Sequence, residues 1–124
     1  MANEVMRVMT FTVEAQDDAD GVIGFEALET MTIVGVSLWA EAFTGTPTAF
    51  DIDIQDDGND VITAIDASTA KTAGNWQSTM MGGTNDPVTI AAGSEVEIDV
   101  NFTGGSSPTA DFTLAIWYLA GDQA

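Results

Sequence analysis

From Glu95 to Phe102 every second residue is apolar. Val96, Ile98, Val100 and Phe102 alternate with Glu95, Glu97, Asp99 and Asn101. Side chains point to opposite faces of an extended strand at successive positions, so this run has one oily face and one acidic face. A helix would spread the same residues around its circumference, so the run fits only a half-buried β-strand. Ala49–Gln55 repeats the pattern, with Phe50, Ile52 and Ile54 against Asp51, Asp53 and Gln55. Met9, Phe11 and Val13 do the same near the start.

The alternation fixes the fold class. Further strands are expected at Val22–Leu28, Met31–Phe43, Val61–Ile65, Asn75–Met81 and Asp111–Leu119, joined by Gly-, Asp-, Thr- and Pro-rich turns. The turn at 56–60 predicts a hairpin. Glu26–Thr32 can hold at most one helical turn. The expectation is an all-β, single-domain antiparallel β-sandwich over 1–124, jelly-roll-like, with about eight strands and a short N-terminal arm of about residues 1–7. Its core should contain Phe50, Ile52, Ile54, Val96, Ile98, Val100, Phe112, Leu114 and Ile116.

Two strands carry apolar residues at both parities. Met31–Phe43 has Ile33 and Trp39 on one parity and Val34, Val36 and Leu38 on the other. Asp111–Leu119 has Phe112, Leu114, Ile116 and Tyr118 against Ala115, Trp117 and Leu119. A strand apolar on both faces is covered on both. Its cover is either a loop of the same chain or a subunit interface, where Trp, Tyr and Met are favoured. Asp66–Pro87 is the least regular stretch, although Trp76, Ser78 and Met80 alternate within it as in a strand.

Composition narrows the function. The 124 residues include no histidine and no cysteine, and only two basic residues against 20 carboxylates, a formal charge of −18. Histidine is the usual proton shuttle near neutrality, so that route to general acid–base catalysis is closed. Thiolate chemistry and Cys/His zinc sites are closed as well. Arg7 and Lys71 cannot hold a phosphate backbone, so no nucleic-acid partner is expected. The acidity suits a solvated surface, salty surroundings or a basic partner. No stretch is long and apolar enough for a membrane helix, and no signal peptide precedes the strands, so cytoplasmic synthesis is expected.

The remaining motifs are weak. Asp53-Ile54-Gln55-Asp56-Asp57-Gly58 resembles the start of a calcium loop, and Asp53 and Asp57 are its ligand candidates. The position that needs a bidentate glutamate holds Ala64, and the flanks are strands. A tight acidic turn is the simpler reading, and no metal or other cofactor is expected. Twenty carboxylates give no basis for selecting a glycosidase pair. The rings of Trp39, Trp76 and Trp117 can stack on sugars, but packing in a core or interface is the simpler account of each.

Three blocks in order resemble small β-sandwich virion proteins of tailed bacteriophages. They are MTIVGVSLWAEA at 31–42 followed by GTPTAFDIDIQDDG at 45–58, then VTIAAGSEVEIDV at 88–100, then SPTADFTLAIWY at 107–118. Ala49 stands where that family commonly has glycine, and Asp57 stands for its turn asparagine. The resemblance implies a non-enzymatic structural protein. The expected role is a capsid decoration or cement protein on the virion surface, clamping the phage major capsid protein as a homotrimer. A tail-fibre or receptor- or carbohydrate-binding module is the alternative. Contact candidates are Met1, Arg7, Trp39, Trp76, Met80, Met81, Trp117 and Leu119, with no membrane partner.

Overall fold

The computed structural model describes residues 6–68, 75–80 and 87–120. Within them are nine strands: β1 Met6–Gln16, β2 Ala19–Glu26, β3 Met31–Thr44, β4 Ala49–Asp56, β5 Asn59–Ser68, β6 Asn75–Met80, β7 Val88–Ile90, β8 Glu95–Thr103 and β9 Thr109–Ala120. The first sheet runs β1-β9-β3-β6, with β7 paired to β3 as well. The second runs β2-β8-β4-β5. Every pairing is antiparallel.

This strand order is that of a jelly roll. β6 and β7 share one edge of β3: β7 pairs with Met31–Ile33, and β6 with Gly35–Ala40. They occupy a single strand position, so eight positions accommodate the nine strands. No residue in the described segments is helical. Ala27–Thr30, inside the stretch that allowed a helical turn, is a loop. Ala27 N–H donates to Ser94 (2.9 Å) and the Ala27 carbonyl accepts from Gly93 (2.7 Å), which uses its backbone groups outside any helix.

All nine expected core residues are buried. Phe50 is central: its ring meets Phe43, Phe102 and Phe112 with centroids 5.6, 5.0 and 5.7 Å away. β4 and β5 are joined through Asp57-Gly58, with φ of 50° and 84°. Positive φ at both central residues is the type I′ geometry, whose twist matches that of the flanking strands.

β3 departs from the strict alternation. Ile33 pairs with Tyr118 but Gly35 pairs with Trp117, so Val34 is an extra residue. This bulge inverts the parity, and Ile33 joins Val36 and Leu38 on the buried side. A second shift lies between Glu41 and Thr44, where Ala42 has φ of 52°. It returns Phe43 to the core beside Phe50. The two-faced look of β3 is therefore mostly a double change of phase; Trp39 and the two extra residues, Val34 and Ala42, are the apolar residues left out of the core.

Candidate functional site

The register aligns positions of the first sheet in rungs across β1, β9, β3 and β6, those of β1, β9 and β3 being the outward ones. One rung is Val8, Trp117, Gly35 and Met80; the next is Thr10, Ala115, Ser37 and Ser78; the third is Thr12, Thr113, Trp39 and Trp76. None of these residues is charged. Met6, Val8, Trp39 and Trp117 are 50, 45, 41 and 36 % exposed. At one end of the face Asp111 is level with position 41, and its carboxylate accepts from Ala15 N–H (2.7 Å).

The middle rung is small. Trp117 stands on one side of it and Trp39 on the other, four positions along β3 from the Trp117 rung, or about 13 Å. Two exposed tryptophans thus flank a rung that holds the small residues Ala115 and Ser37. Thr12 and Thr113 hydroxyls bond to one another at 3.2 Å.

The outward face of the second sheet is the opposite in character. Asp53 lies directly opposite Asp99, and Gln55 opposite Glu97. The Asn101 side-chain amide donates to Asp51 and to Asp53, both at 3.0 Å. Asp99, only 6 % exposed, accepts from Gly21 N–H at 2.9 Å. Asp18 accepts from Phe102 N–H at 2.9 Å. The carboxylates therefore hold the backbone and one another's partners as well as facing water.

Of the eight contact candidates, the fold brings Trp39 and Trp117 onto one face, with Trp76 and Met80 at register positions of the same face on β6. Leu119 is half-buried on the same parity, opposite Met6. Arg7 is exposed on the other parity of β1, opposite Tyr118. Met6 and Arg7 thus belong to a strand that begins inside the stretch expected as an arm. Met1 and Met81 lie outside the described residues, as do residues 1–5 of that arm. The sequence reading missed Val8, which pairs with Trp117, and Leu28, which is 88 % exposed.

The two calcium candidates are not brought together. Asp53 faces Asn101 on the sheet, while the Asp57 carboxylate accepts from Glu95 N–H at 2.8 Å. Among the described residues no cluster of three or more carboxylates is arranged to hold a metal.

No protein-family model matches the sequence, and no curated protein matches it. Among solved structures the chain is similar to one in the cyanophage Pam1 capsid asymmetric unit. The TM-score is 0.61 at 16% identity, covering 95% of this chain and 86% of that one. Weaker likenesses are to a family 35 carbohydrate binding module from Clostridium thermocellum and to the infectious bursal disease virus VP2 subviral particle. The former has a TM-score of 0.42 at 14% identity, covering 90% of each chain. The latter has 0.39 at 23% identity, covering 90% of this chain and 32% of that one. The resemblance read from the sequence blocks thus has its counterpart in the fold: this is a jelly-roll sandwich of the kind found in a phage capsid.

Proposed function

We propose that the chain is a non-enzymatic virion structural protein, a decoration or cement protein that clamps neighbouring copies of a phage major capsid protein from outside the shell. In this reading it is made in the host cytoplasm, forms homotrimers of one-domain subunits and binds neither nucleic acid nor membrane. The observation that carries the proposal is the segregation of charge. A chain of formal charge −18 keeps the outward face of one sheet uncharged over three rungs and exposes two tryptophans on it. Exposed apolar patches of this kind mark interaction surfaces, and tryptophan is a favoured anchor within them. The acidic second sheet then faces solvent. The fold likeness to a chain in the Pam1 capsid asymmetric unit supports the same reading.

A clamp that binds the assembled shell and not its free subunits stabilises the shell by mass action. Particles stripped of the protein should burst at lower temperature or milder osmotic shock, and adding it back should restore them. A Trp39→Ser/Trp117→Ser double variant should fold but fail to restore them. The exposed rings of Trp117 and Trp39, with hydroxyl-bearing Thr10, Ser37 and Thr113 on the rungs beside them, favour one other reading, a sugar-binding receptor module. Stripped particles that stay robust but no longer adsorb to cells would replace the cement reading with that one.

A further inference from the structure

One end of the sandwich opens between the sheets into a pocket of about 250 Å³. Its walls are Met9, Phe25, Met31 and Tyr118, and Leu28 stands almost fully exposed at its lip. Glu26 and Glu29 also line it. Across Phe25 and Glu26 it continues into a furrow of about 410 Å³ on the outer side of β2 and β8, flanked by Glu26, Glu95 and Glu97. The furrow is hollow because Gly21 and Gly24 lack side chains. A Cβ at Gly21 would lie 2.9 Å from a Glu97 carboxylate oxygen.

We infer that pocket and furrow together form a docking site for a segment of a partner protein that carries an apolar side chain followed by lysine or arginine. The pocket has the size and lining for one Leu, Met or Phe side chain. Three carboxylates lie immediately beyond it, in a protein whose charge already repels acidic chains. The carboxylates lining the furrow set the direction: the basic residues run along β2, over Glu26, Glu95 and Glu97. This surface is distinct from the outer face of the first sheet, so a protein using both would hold two partners or two parts of one. The inference rests on the cement reading only in making that partner a capsid subunit.

The test uses the full chain and the peptide acetyl-Leu-Arg-Lys-amide, followed by amide NMR shifts at low salt. Shifts should concentrate at Phe25–Glu29, Met31 and Glu95–Glu97, and acetyl-Leu-Glu-Glu-amide should produce none. Leu28→Ser removes the apolar lip, and Gly24→Val fills the furrow. The added Cβ at residue 24 meets its nearest neighbour, the Val96 carbonyl oxygen, at an ordinary 3.8 Å. Each variant should keep the wild-type melting temperature and weaken binding roughly five-fold or more, as loss of an apolar contact or of access to the charges would. Shifts confined to other residues, equal binding of the glutamate peptide, or full binding by both variants would overturn the inference. The cement reading fails separately, if wild-type protein does not rebind stripped shells.

Discussion

Single residues divide into those whose role the alternation announced and those whose role needed a partner from elsewhere in the chain. Phe50 is of the first kind, an inward position on β4 that also meets three other rings. Replacing it with alanine leaves a cavity at the centre of the sandwich and should cost about 3–5 kcal/mol, read from urea unfolding. Asp57 is of the second kind. Its place in an acidic run suggested a metal ligand, but it turns the hairpin at positive φ and accepts from Glu95 N–H. Asparagine keeps both abilities and alanine keeps neither. Asp57→Ala should therefore lose about 1–2 kcal/mol while Asp57→Asn stays close to wild type. Chelator should leave the melting temperature unchanged, and a fall of more than about 10 °C would mean that a bound calcium supports the native state. The partner 38 positions away, Glu95, could not be read from the sequence.

At the scale of elements, strands with clean alternation were legible almost to their ends. β4 and β9 bury what their parity says they bury, and β8 does so except that Asp99 on its acidic side is buried as well and Phe102 only half so. β3 was not legible, because period-2 reading assumes that parity never changes. Gly35, where pairing resumes after Val34, is a glycine signal for the first register shift, but nothing marks Ala42 at the second. The uncharged face was partly legible: Trp39 and Trp117 were singled out, but joining them into one surface needed the pairing of β3 with β9. The mouth pocket was not legible, since β1, the β2–β3 loop, β3 and β9 each contribute only one or a few of its residues. The bulge makes a prediction. Deleting Val34 should turn Met31 and Ile33 out of the core and cost about 1.5–3 kcal/mol for each side chain. Val34→Thr, which keeps the extra residue, should cost less than about 1.5 kcal/mol. Denaturant unfolding of the two variants separates these outcomes.

For the whole molecule the governing quantity is the formal charge of −18, held largely on one sheet and its turns. Like charges on neighbouring strands, such as Asp53 opposite Asp99, repel in the compact state more than in the expanded one. Added salt screens that repulsion, with a Debye length falling from about 30 Å at 0.01 M to about 8 Å at 0.15 M. The melting temperature should rise over that range in a scanning calorimeter. A flat or falling curve would mean that the hydrogen bonds the carboxylates receive from Asn101, Gly21 and Phe102 already offset their repulsion.

The pairing of Met6 with Leu119 carries a further consequence. The chain enters its first strand and leaves its last at the same corner, on neighbouring strands, so the fold is topologically almost a ring. A short linker joining the ends, with a new break at the exposed Asp57-Gly58 turn, should give a permuted protein with the same sandwich. A cargo joined directly ahead of Met6 or after Ala120 would emerge at that one corner, beside Tyr118 and the mouth between the sheets. The permuted order would move it to the β4–β5 turn, at the same end of the sandwich but two strands across the second sheet from β2, where Asp57 N–H donates to the Glu95 carbonyl, leaving the Met6–Leu119 corner unencumbered. The chain offers two mounting points for display, and the choice between them decides which surface of the protein remains free to work.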